Sequence, residues 1–87
     1  MDFTHAIRKL LEVIRKLGVD KYGNQKMFAH DAGINETHFS ELLQHNPANF
    51  RIGTFLKLCW CLRTAPWTIM QQALGDSYDF EKQKKKE

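Results

Sequence analysis

From residue 35 to residue 44 the chain reads NETHFSELLQ, and Glu36, Thr37, Ser40, Glu41 and Gln44 recur there at separations of one, three, one and three. At roughly 100° per residue on a helix these five polar groups share one arc, while Phe39, Leu42 and Leu43 share the opposite one. A helix of this kind is anchored by its apolar face and offers hydrogen-bond donors and acceptors on the other. The four histidines, His5, His30, His38 and His45, offer different chemistry, but none lies three or four residues from another ligand in a metal-binding pattern. His30 and Asp31 are adjacent, and adjacent helical residues do not face each other. Cys59 and Cys61 are two apart, which rules out a disulfide within a helix, and no further Cys or His stands at metal-ligand spacing. They read as free thiols of a reducing compartment. No nucleophile elbow, phosphate loop or zinc-hydrolase pattern occurs. We therefore expect no enzyme, no catalytic residue, no metal and no cofactor.

The polar arc needs elements to hold it. Phe3, Ile7, Leu10, Leu11, Ile14 and Leu17 form a helical stripe capped by Asp2 or Thr4, and the spacing predicts that this first helix stops at Gly18. Asn24 can cap a second, short helix over residues 25–31, and Asn35 a third to about Gln44. Only Ala32, Gly33 and Ile34 join these two. Gly33 can take the positive φ that a sharp turn between helices requires. After a loop around Pro47, a fourth helix is expected from about Ile52 to Leu62, and Pro66 suits the first turn of a fifth. No stretch alternates with period two, so the fold class is all-α, with five helices.

Size and charge bound the rest. Eighty-seven residues make one domain, and 43% apolar with 26% charged residues is a globular rather than a disordered composition. The net charge of +3 permits an anionic partner without requiring one. No apolar run approaches the roughly 20 residues of a membrane span. The opening Met-Asp-Phe-Thr-His is not a signal peptide, so a cytoplasmic protein without a membrane partner is expected. Residues 1–75 form the domain and residues 76–87 a polar, flexible tail in which four lysines are offset by Asp76, Asp79, Glu81 and Glu87.

Ala29, Gly33, Ile34, Phe39 and Leu42 carry a further signal. A small residue, a glycine four later, and apolar residues one, six and nine beyond that glycine resemble the helix-turn-helix of the phage-repressor and Cro family, also called Xre-like. Phe28 and Ala32 fit the same pattern, and Gln25 stands where that family often opens its first motif helix with glutamine. The segment TFLKLCWCL, residues 54–62, is similar to the family's fourth helix, and the resemblance covers about residues 5–74. It implies a five-helix, lambda-repressor-like domain and a sequence-specific regulator of transcription, a repressor, that reads double-stranded DNA with residues 35–44.

Carried over residue by residue, the resemblance turns Asn35, Glu36, Thr37, Ser40, Glu41 and Gln44 toward the major groove. Gln25, Lys26 and Asn35 would meet phosphate, and Asn46, Asn49 and Arg51 the backbone beyond. The chemistry agrees: Thr37 can touch a thymine methyl, Gln44 can pair with adenine, and Glu36 or Glu41 can accept from cytosine. Charge pulls the other way. From Asn24 to His45, Lys26 stands against Asp31, Glu36 and Glu41, a net −2, and positive charge comes instead from Arg51, Lys57 and Arg63 and from Lys21 and Lys26 at the edge. Where the family tends to have glutamate and glycine after the recognition helix, this chain has Leu43, Gln44 and His45. The alternative is a helical protein-interaction module of the same fold, an antitoxin-like or regulatory subunit that reads no bases.

The fourth helix has a core stripe of Phe55, Leu58, Cys59 and Leu62. It also has a second apolar strip, Leu56 and Trp60, that a monomer leaves wet. With Trp67 these residues are expected to form the interface of a homodimer, unless the first helix or Tyr78 and Phe80 cover them.

Overall fold

In a computed structural model, which describes residues 2–80, the chain folds into five helices with no strand among the described residues. They are α1 (Phe3–Tyr22), α2 (Gln25–Asp31), α3 (Glu36–Gln44), α4 (Ile52–Leu62) and α5 (Pro66–Leu74). Short 3-10 turns follow α3 at Pro47–Asn49 and α5 at Gly75–Tyr78. The expected domain limit at residue 75 thus falls inside a turn. The Tyr78 and Phe80 rings meet edge-on at 6.1 Å and, with Phe3 and Lys9, line a hollow against the start of α1. The remainder of the expected tail, residues 81–87, lies outside the described residues.

Local signals explain the helix ends. The Asp2 carboxylate accepts from the Thr4 and His5 amides and so caps α1, and Asn24 does the same for Met27 at 2.8 Å. Pro66 opens α5, where its missing N–H costs nothing.

One expected boundary is corrected. α1 does not stop at Gly18 but continues to Tyr22, and it ends at Gly23 with φ 89°. Gly18 is needed for space: a Cβ there would lie 2.1 Å from Cδ2 of Phe28. The ring of Phe28, itself fully buried, packs against the bare backbone of α1 at Gly18. Phe3 is corrected as well. It is 67% exposed, and Ala6 holds the buried position on that first turn.

The core draws on every helix. Leu11 and Ile14 of α1, Phe28 and Ala29 of α2, Phe39 and Leu42 of α3, Phe55, Leu58, Cys59 and Leu62 of α4, and Ile69 of α5 form one cluster. Phe28 is its centre, stacked on Tyr22 at 5.5 Å and met edge-on by Phe39 at 5.8 Å. Truncating such a ring to alanine costs about 3–5 kcal/mol. The packing that holds α3 in place is therefore a large part of what holds the fold.

Candidate nucleic-acid interface

α2 passes to α3 through a left-handed turn. Gly33 has φ 72°, its N–H donates to the His30 carbonyl at 3.0 Å, and the Ile34 N–H donates to the Ala29 carbonyl at 2.9 Å. This crossed pair of bonds satisfies the last carbonyls of α2 and redirects the chain within three residues. Phe39 and Leu42 then pin α3 to the core, at 0% and 1% exposure. With that face fixed, Asn35, Glu36, Thr37, Glu41 and Gln44 are exposed and Ser40 is half-buried.

Asn35 has a definite task of its own. Its Oδ1 accepts from the Thr37 amide at 2.8 Å and the His38 amide at 3.3 Å, so those N–H groups are spent within the helix. Only the Nδ2 group of that side chain is left to donate outward. At the other end of α3, Asn46, Asn49 and Arg51 are exposed around the buried Pro47, and the loop closes through the Asn49 amide on the Asn46 carbonyl at 3.0 Å. Phe50 seals this loop by meeting Phe55 edge-on at 5.9 Å.

Lys26 is exposed and Gln25 half-buried. Gln25 is engaged in a way the sequence did not signal, because Arg15 on α1 donates from Nε to its Oε1 at 3.0 Å. Ten residues and a helix break separate the two, so no periodicity could have paired them. Lys21 and Tyr22, at the end of α1, were missed for the same reason. Lys21 Nζ donates to the Cys61 carbonyl at 2.6 Å, and the Tyr22 hydroxyl donates to Asp31 Oδ2 at 2.5 Å. The Asp31 carboxylate, aided by desolvation, pushes the Tyr22 pKa up to about 12. Burial raises the pKa of both thiols, Cys59 and Cys61, which keeps them protonated near neutrality. Among the described residues no group of three His, Cys, Asp or Glu side chains is placed to hold a metal ion.

Among the described residues nothing covers the apolar strip. Leu56 is 49%, Trp60 72% and Trp67 74% exposed, and neither α1 nor Tyr78 and Phe80 shields them. Leu56 and Trp60 share a cleft of about 430 Å³ with Arg63 and Pro66, whereas Trp67 lines a separate hollow with Met70, Leu74 and Tyr78. The structure thus joins two of the three expected interface residues and sets the third in the next hollow. It adds Ile52, one turn before Leu56 and more exposed than it, at 67%. Arg63, read in the sequence only as a charge, stacks over the Trp60 ring at 5.1 Å.

No helix among the described residues is long and apolar enough to cross a membrane. Set against protein-family models, curated proteins and solved structures, the chain matches none of them.

Proposed function

We propose that the chain is a sequence-specific DNA-binding regulator of transcription, a repressor of the helix-turn-helix kind, that inserts α3 into the major groove. One observation carries this reading. α3 is fixed from beneath by Phe39 and Leu42 behind the left-handed Gly33 turn, while its outer polar side chains face solvent. On this reading Thr37, Ser40 and Gln44 meet base edges, and Glu36 and Glu41 accept from cytosine amino groups. Gln25, Lys26 and the free amide of Asn35 meet phosphates on one side, and Asn46, Asn49 and Arg51 on the other. Two copies joined through Leu56, Trp60 and Trp67 would place two such helices on one operator.

The second reading, a protein-interaction module of the same fold, is favoured by the two carboxylates on α3 and by the uncovered tryptophans. A titration of labelled duplex at two salt concentrations separates the two. DNA binding that weakens with salt supports phosphate contact, and no binding at low salt supports the protein module. Variants sharpen the result. Thr37→Ala and Glu41→Ala should change which sequence is preferred, whereas Arg51→Ala should weaken all duplexes alike and flatten the salt slope by about one.

A further inference from the structure

The Arg15–Gln25 contact fixes more than a distance. Arginine only donates, so the amide atom facing Arg15 is the oxygen, and the Gln25 Nε2 group with its two protons is turned away from α1. Arg15 uses one of its five N–H donors on this bond, which leaves the four on its terminal nitrogens. Arg15 is itself exposed. Lys26, the next residue along, is exposed. The junction of α1 with α2 therefore presents donors and positive charge from two side chains that hold each other in place. Of the first-turn backbone amides, the Met27 N–H is already occupied by Asn24.

We propose that Arg15 and Gln25 form a two-helix clamp for a single DNA backbone phosphate. Arg15 positions the Gln25 amide to donate to one phosphate oxygen and takes another oxygen on its own terminal nitrogens. The inference rests on the DNA-binding reading and adds a residue to it. An anion with two oxygens in one plane matches the fork of the guanidinium beside the Gln25 amide, as a phosphate diester does. The clamp carries no base information, and it would fix the register from which α3 reads. It also supplies positive charge to a motif whose own charge is negative.

The test is fluorescence anisotropy of the full chain on a labelled duplex of random sequence at two salt concentrations. It compares the parent with Arg15→Ala, Gln25→Ala, the double variant and Arg15→Lys. Arg15→Ala should lower affinity about tenfold and flatten the salt slope by about one. Gln25→Ala should lower affinity with the slope unchanged. If the two side chains act as one unit, the double variant should be no more than about twofold weaker than Arg15→Ala alone. Arg15→Lys should restore the slope but not the affinity, since an ammonium lacks the planar fork. Losses that simply multiply in the double variant, or full recovery in Arg15→Lys, would overturn the clamp and leave DNA binding standing. A parent that binds no duplex at low salt would overturn the DNA-binding reading and the clamp together.

Discussion

α2 and α4 end in the same backbone shape with opposite residues. At Gly33 and at Arg63 the chain turns left-handed, with φ 72° and 53°, and the crossed bonds repeat. Gly33 donates to His30 and Ile34 to Ala29, just as Arg63 donates to Trp60 and Thr64 to Cys59. The end of α1 serves both turns. Tyr22 bonds Asp31, two residues before Gly33, and Lys21 bonds the Cys61 carbonyl, two residues before Arg63. Glycine adopts this shape freely, whereas a side chain there costs about 1–2 kcal/mol. The turn leading to α3 therefore meets the geometric demand without strain, and the turn leading to α5 accepts strain. What Arg63 gains is a guanidinium laid over Trp60, at the centre of the uncovered apolar face. The first turn positions an element, and the second presents a side chain.

The largest effect should come from breaking the first turn. A Cβ at residue 33 would meet nothing within 4 Å, so the obstacle is φ alone. Gly33→Val is expected to lose about 2–3 kcal/mol, a fall in Tm of more than about 10 °C followed by far-UV circular dichroism. An unchanged Tm would show that α2 and α3 tolerate another connection. Trp60→Glu attacks the face that the second turn serves. If two copies join through this face, they should dissociate in sedimentation while the monomer remains helical, because Trp60 is outside the core. A parent already monomeric at high concentration would remove the dimer reading.

Alkaline titration probes the link between the two turns. The folded pKa of Tyr22, about 12, lies above the value near 10 of an unfolded tyrosine. The unfolded chain then loses this proton first, so the stabilisation is present below pH 10 and is lost as pH rises toward 12. Tyr22→Phe should abolish that part of the pH dependence in thermal melts. The smallest effect belongs to the second turn. Arg63→Gly relieves the left-handed strain and forfeits the stacking, two terms of similar size, so Tm should move by less than a few degrees. A large loss of stability would mean that Arg63 supports the fold beyond its contact with Trp60.

The sequence showed the parts of this comparison unevenly. Gly33, Phe39 and Leu42 were legible because turn chemistry and helical period are local, and the core stripe of α4 was legible for the same reason. The role of Gly18 was not. A glycine that stops a helix and a glycine that admits a neighbouring ring look alike until Phe28 is seen lying on it. Phe3 continued the apolar period of α1, yet among the described residues it only lines an open hollow with Tyr78 and Phe80 and stays 67% exposed. The pairings of Arg15 with Gln25 and of Lys21 with Cys61 depend on how helices cross, which no single segment encodes. The left-handed Arg63 breaks the rule that would have placed glycine there.

The exposure of Trp60 and Trp67 has an optical consequence. They are the only two indoles in the chain, and both stand about three-quarters in solvent. Emission from the folded protein should already resemble that of tryptophan in water, so intrinsic fluorescence will report unfolding poorly. The same fact makes it a sensitive reporter of arrival. A shift to shorter wavelength would register a second copy, or any other body, settling on the face of α4 and α5. Arg63 lies over only one of the two rings, Trp60, so the two indoles start from different surroundings.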